Sequence, residues 1–343
     1  MRRRGVCTLL GVMTAAIGPV PAAGVVTAGR RVEAGCARTT SPLAPLARAA
    51  GTARAAEAAR AAGAARARAI VPRDRDAFSP QQVRGLLDDL HRTLLAKFGT
   101  ADEAAMKPGG GIVIPVRFHV ITNGRLGRVS KAGVGRQVAA LNAAYGGRTG
   151  GANTGVSFRL TSVSVTTNAR WFARPKQNER AMMTALRRGG SDTLNLYSAV
   201  VGVEVLGFST FPQWYRRHPG LDGVVVDYRS LPSGGAAHFD RGYTAVHEVG
   251  HWLGLLHTFE NACVPPGDGV ADTPYEAAPT EGCPAVKDTC PAPGADPVHN
   301  FMDYGNDDCM REFTPGQARR VRASWAAYRA PAPVPVAADD EQR

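Results

Sequence analysis

The residues from His247 to His257 read His-Glu-Val-Gly-His-Trp-Leu-Gly-Leu-Leu-His, the form H-E-x-x-H-x-x-G-x-x-H. His247 and His251 are spaced i, i+4, so on a helix both imidazoles leave one face and can meet a single metal ion. Glu248 stands beside them, placed to take a proton from a water at that metal without being a ligand. Gly254, able to adopt a left-handed conformation, can end the helix and turn the chain so that His257 returns as a third nitrogen ligand. Three protein nitrogens leave a fourth position open, which is the arrangement of a catalytic zinc and not a structural one. The bare five-residue core arises by chance in amphipathic core helices; the added glycine and third histidine make that reading far rarer. The chemistry these residues predict is zinc-assisted hydrolysis of a peptide bond.

Downstream, Asn300-Phe301-Met302-Asp303-Tyr304 resembles the Met-turn that follows the extended zinc motif in metzincins. With His-Glu-Val-Gly-His-Trp-Leu-Gly-Leu at 247–255, Asp272-Thr273-Pro274 and the cysteines in between, the stretch from Ile112 to Tyr328 resembles the pappalysin (cytophagalysin) family of metallopeptidases. The resemblance implies one catalytic zinc, Met302 as an apolar base beneath the three histidines, and Tyr304 near the metal, where its hydroxyl stabilises an oxyanion. It also implies an N-terminal pro-segment and protein or peptide substrates. On its own, Tyr304 has a competing reading as an ordinary core tyrosine two residues after a turn.

Cys263, Cys283, Cys290 and Cys309 all follow the zinc motif. In an exported chain, four such cysteines read as two disulfides with three pairings open; a cysteine-based structural zinc lacks the usual C-x-x-C spacing. The family resemblance implies Cys263 with Cys290 and Cys283 with Cys309. In the same loop Asp268, Asp272, Thr273 and Glu276 are oxygen donors suited to calcium. Some family members carry that ion; the competing reading is a solvated acidic loop.

Cys36 is the one cysteine between the leader and the catalytic region. A thiolate ligates zinc strongly, so Cys36 is a candidate cysteine switch, holding the precursor inactive from the open coordination position. Its rivals are a lipid-attachment cysteine, disfavoured by Arg31 and Glu33, and an inert thiol.

Thirteen arginines against three acids within residues 1–75 carry ten of the twelve net positive charges of the 343-residue chain. The basic residues therefore belong to the leader, are not interleaved with aromatics, and exclude a nucleic-acid-binding reading. Residues 1–28 read as a secretory signal peptide, with a basic start, an apolar centre broken by Pro19 and Pro21, and small residues near the end. An uncleaved anchor is the alternative. Residues 29–110 read as the propeptide: an Ala/Arg/Gly-biased run too poor in large apolar residues to build a core, then a helix opened by Ser79-Pro80-Gln81-Gln82. Its apolar stripe is Val83, Leu86, Leu87, Leu90, Leu94 and Leu95, and a place across the active-site cleft would cover it. Residues 111–330 are the expected catalytic domain and 331–343 a disordered tail.

Within 111–330, strands are expected at Ile112–Ile121, Ser157–Thr166, Thr193–Val201 and Val224–Tyr228, with helices at Ser130–Ala144, Asn178–Arg188 and Gly242–Leu255. Val203–Pro212 resembles the edge strand that pairs with substrate backbone in this clan. The expected fold is an α/β (α+β) metzincin-type zincin. A mixed twisted sheet and the active-site helix would form an N-terminal subdomain, followed by a loop-rich, disulfide-stapled C-terminal subdomain. His119, His218, His238 and His299 are solitary in their local patterns and are not assigned to the metal. The function expected is a secreted, monomeric zinc endopeptidase without stable membrane association. The alternative is a catalytically silent secreted peptide-binding protein on the same scaffold.

Overall fold

The computed structural model describes residues 78–106, 111–202 and 204–331. The expected signal peptide, Cys7, Cys36 and nearly all of the C-terminal tail lie outside the described residues.

Five strands, β1 (Ile112–Thr122), β2 (Val156–Thr167), β3 (Leu194–Ala199), β4 (Gly207–Ser209) and β5 (Val224–Asp227), form one sheet in the order β2-β1-β3-β5-β4. All neighbours are parallel except β4, which runs antiparallel to β5 at the edge. A parallel sheet needs helical crossovers and buries both faces, and the sequence supplies both. Ile112, Ile114, Val116, Phe118 and Val120 alternate onto one face of β1 and share a core with α2 (Lys131–Tyr145) and α5 (Tyr243–Trp252). The opposite face packs Ile121, Tyr197 and Val225 against Phe172 of α3 (Ala169–Ala173) and Met182 and Met183 of α4 (Glu179–Leu186). Each such side chain removed from water contributes about 1.5–3 kcal/mol.

The edge strand is shorter than the expected Val203–Pro212, its main-chain bonds to the β5 segment running from the Leu206 carbonyl, which accepts from Asp227, to the Thr210 N–H, which donates to Gly223. The N–H groups of Val201 and Gly202 donate to Asp227 Oδ2, and Arg229 donates to the Gly202 carbonyl. Beyond Ser209, Thr210 bonds to Gly223 and Asp222, and Pro212 opens a 3₁₀ turn.

The helix predicted at Ser79 is α1 (Pro80–Phe98), with a complete capping box between Ser79 and Gln82. Its body does not lie across the cleft. Leu90 and Leu94 pack on Ala323 and Ala327, in and just after α6 (Pro315–Ser324), while Val83 meets Phe211 and Leu256. Tyr328 donates to Asp89, and Arg320 pairs with Glu103 beyond the end of α1. Helix α6 was absent from the sequence-based expectation. The pairs Cys263–Cys290 and Cys283–Cys309 are both formed, as the family resemblance implied, and frame the loop after α5. No described helix is long and apolar enough to cross a membrane.

Candidate metal centre

Helix α5 is buried from Thr244 to Trp252 and is held at both ends. Gly242 caps its start at φ 86°, where Gln137 donates to the Gly242 carbonyl; one turn in, the Tyr145 hydroxyl donates to the Val246 carbonyl. At the far end Gly254 takes φ 92°. The Leu255 N–H bonds back to the Gly250 carbonyl and the Gly254 N–H to that of His251, both at 2.9 Å. This is a Schellman ending, in which a left-handed glycine satisfies the last carbonyls and reverses the chain. The reversal brings His257 back beside the helix.

As a result, His251 Nε2 lies 3.1 Å from His247 Nε2 and 3.2 Å from His257 Nε2. Among the described residues this trio is the one group of three or more His, Cys, Asp or Glu side chains whose ligand atoms converge within 4.8 Å. His247 Nδ1 sits 2.7 Å from the Phe301 carbonyl and His251 Nδ1 2.7 Å from that of Leu255. A carbonyl can only accept, so each Nδ1 carries the proton and each Nε2 presents its lone pair to the shared point. An ion with Zn–N bonds of roughly 2.0–2.1 Å in tetrahedral geometry holds its nitrogens slightly more than 3 Å apart, so the donor set fits zinc. Behind the third imidazole, Glu260 Oε2 is 3.6 Å from His257 Nδ1. Glu260 Oε1 accepts the N–H of Phe78, just ahead of α1, at 2.5 Å.

Glu248 is buried beside the trio, opposite β4. A Cβ on Gly207 would come within 2.6 Å of Glu248 Cγ and Oε1, so the glycine in the edge strand makes room for the carboxylate. Below the helix, Met302 is fully buried with its sulfur against Gly250, between the first two histidines. The turn carrying it is tied inward by Asn300, whose side chain accepts from the Met302 N–H and pairs twice with Gln317 of α6. The Tyr304 hydroxyl reaches 3.2 Å from His257 Nε2.

Beside Glu248 opens a pocket whose lining includes the apolar Leu206, Phe239, Tyr243 and Met310 and the acids Asp303 and Asp307. Asp303 Oδ1 accepts from Thr280 and Tyr304, and Asp307 Oδ2 from Arg241. Asp303 Oδ2 and Asp307 Oδ1 are buried without a hydrogen-bond partner among the described residues. Burial pushes the Asp307 carboxyl up to about 7, against the N–H groups of Arg241 and Tyr243 that hold it down. The sequence reading missed both acids, as it missed Glu260, although Asp303 and Asp307 follow Met302 by one and five residues.

Other expectations are met differently. Asp272 accepts from Thr314 and the Gly316 N–H and so caps α6, while Asp268 accepts from Val270 in its own loop. Thr273 also reaches the Asp268 carboxylate, so these two expected donors lie side by side. His299 bonds to the Cys309 carbonyl, and His119 lies between Ser164 and Asn195 in the sheet, stacked on Tyr197. Neither joins the trio.

Residues 207–326 match the family model for Peptidase M43, described as pregnancy-associated plasma protein-A. An extracellular metalloprotease of Arthroderma benhamiae is 40% identical over 228 residues, covering 64% of this chain and 74% of that protein. Another, from Verticillium alfalfae, is 40% identical over 238 residues, covering 67% and 83%. Mature mirolysin of Tannerella forsythia, solved with a cleaved peptide, superposes with a TM-score of 0.55 at 28% identity, over 63% of this chain and 92% of its own. A promirolysin mutant superposes with a TM-score of 0.57 at 25% identity, over 71% and 86%.

Proposed function

The chain belongs to the Peptidase M43 (pappalysin) family of metalloendopeptidases, and from that premise we propose that His247, His251 and His257 hold one zinc ion beside which Glu248 drives hydrolysis of peptide bonds. The observation that carries the proposal is the convergence of three imidazoles, two of them with Nδ1 on backbone carbonyls and the third with Nδ1 facing Glu260, next to a buried carboxylate. A zinc ion held by the three histidines would supply Lewis acidity toward the scissile carbonyl and toward a neighbouring water, whose pKa such an ion lowers to about 7. Glu248 takes that water's proton as it attacks and returns it to the leaving amine. Tyr304, at hydrogen-bond distance from His257, donates its hydroxyl to the oxyanion that forms on the carbonyl.

Substrate selection follows from the pocket beside Glu248. Because Glu248 protonates the leaving amine, the residue carrying that amine directs its side chain into this pocket. The apolar lining suits a long aliphatic stem, and the two acids of the lining, each with a buried oxygen not otherwise hydrogen-bonded among the described residues, suit a cation. Arginine or lysine after the scissile bond satisfies both. An extended peptide reaches this position by pairing along β4, as edge strands allow.

The chain is made as a precursor for export. Residues 1–28 direct secretion and residues 29–110 form the removable pro-segment, with Cys36 as the thiolate switch. The extracellular relatives support export, and promirolysin aligning with more of this chain than mature mirolysin does supports the pro-segment. The mature enzyme acts as a monomer without a membrane anchor.

The test is hydrolysis of a quenched peptide by the processed protein, with zinc counted by mass spectrometry. Chelation should abolish cleavage and added zinc restore it. Glu248→Gln should keep one zinc while losing about 10²–10⁴ in rate. No cleavage by a processed protein holding one zinc would leave the peptide-binding scaffold as the reading.

A further inference from the structure

Lys287 lies in the disulfide-framed loop after α5, and its ammonium is surrounded by oxygen. It is 2.5 Å from Glu276 Oε1, 2.5 Å from the Ala278 carbonyl, 3.2 Å from Thr280 Oγ1 and 3.3 Å from Asp296 Oδ2. The Glu276 and Thr280 side chains are fully buried and Asp296 nearly so. Carboxylates, a backbone carbonyl and a hydroxyl are the donors that hard divalent cations take. Here a lysine side chain, itself largely buried, occupies the centre.

The cage is wired to the metal centre on two sides. Thr258, next to His257, donates to Glu276 Oε2 at 2.7 Å. The Thr280 N–H donates to Asp303 Oδ1, the same oxygen that accepts from the N–H of Tyr304. Thr289 braces the remaining wall, donating through its N–H and hydroxyl to Asp296. Burial and the nearby Asp303 raise the Glu276 carboxyl to about 7, whereas the Lys287 ammonium and the Thr258 hydroxyl draw it down.

We infer that the Lys287 ammonium is a built-in replacement for a bound divalent cation: it neutralises an oxygen cage that joins the segment after His257 to the turn carrying Met302 and Tyr304, and makes this part of the fold independent of calcium. The four oxygens that converge on Lys287 already hold a cation.

The test uses the full chain carrying Glu248→Gln, so that self-digestion cannot intrude, and reads the melting temperature in calcium-free buffer and in 5 mM calcium. The background chain should melt at the same temperature in both. Lys287→Ala leaves two buried carboxylates without their cation and should melt on the order of 10 °C lower without calcium, recovering most of the loss in calcium and none in sodium at equal ionic strength. Lys287→Asp, which adds a carboxylate, should be the less stable of the two without calcium and the more strongly restored with it. Calcium stabilising the background chain as much as the variants would overturn the inference, as would variants that melt or remain unfolded alike with and without calcium. These readings do not depend on whether the chain cleaves peptides.

Discussion

The sulfur of Met302 fills the space that a side chain on Gly250 would occupy, so helix α5 and the turn at 300–304 touch at a point between the first two zinc-binding candidates. Any Cβ at position 250 would press on the sulfur, and the helix backbone cannot retreat because both its ends are fixed.

Gly250→Ala should therefore destabilise the fold by about 1–3 kcal/mol, the usual cost of overpacking a core. It should also lower kcat/KM, since the displaced turn carries Phe301, whose carbonyl orients His247. Met302→Ala opens a cavity and is destabilising alone. In the double variant the new methyl enters the space left by the thioether, so the combined loss should be smaller than the sum of the single losses. A urea-unfolding cycle measures this coupling; strict additivity would mean that the two residues do not meet.

Tyr304→Phe removes only the hydroxyl that lies 3.2 Å from His257 Nε2. If that hydroxyl serves the oxyanion, kcat should fall by about 10²-fold, with KM, zinc content and melting temperature nearly unchanged. An equal rise in KM with kcat preserved would assign Tyr304 to substrate binding instead.

How far the sequence discloses this site depends on how local each interaction is. The histidine spacing, the glycine that ends α5 and the helix start at Ser79 are set by neighbours within a few residues, and the structure has them where the pattern predicts. Helix α6 was missed because its buried face is not an apolar stripe: Gln317 pairs with Asn300 and Arg320 with Glu103. Its start, Thr314-Pro315-Gly316-Gln317, does carry a capping signal. The acids lining the pocket, Glu260 behind His257 and the cage around Lys287 join residues from separate turns of a loop framed by two disulfides, and no periodicity describes such a loop. The edge strand was overestimated: ahead of it Val201 and Gly202 are tied to Asp227 and Arg229, distant in sequence, and past it Pro212 opens a 3₁₀ turn.

Arg329 is fully buried, donates to both oxygens of Asp222 and to the Trp252 carbonyl, and lies 3.4 Å over the Trp252 ring. The chain after α6 is thus bolted to the residue following His251. Arg329→Met should cost about 3–5 kcal/mol, because it leaves Asp222 charged and buried without its principal partner. Adding Asp222→Leu should recover part of that loss. Chemical denaturation of the three variants decides this, and an Arg329→Met variant within 1 kcal/mol of the parent, roughly the worth of an exposed pair, would show the bolt to be unimportant.

Asp307 should give the pocket a pH-dependent preference. Burial raises its carboxyl to about 7, so in the free enzyme it is mostly neutral at pH 6 and mostly ionised at pH 8. A cationic side chain gains from the ionised form and a leucine of similar reach does not. The ratio of kcat/KM for peptides with arginine or leucine after the scissile bond should therefore rise on the order of tenfold from pH 6 to pH 8. Taking the ratio cancels titration of Glu248 and of the attacking water, which both substrates share. Asp307→Asn should lower the ratio at pH 8 and flatten its pH dependence, leaving Asp303 to supply what selectivity for arginine remains. A ratio that is constant across this range in the parent enzyme would mean that Asp307 does not meet the substrate's charge, and the basic preference would then have to come from Asp303 alone.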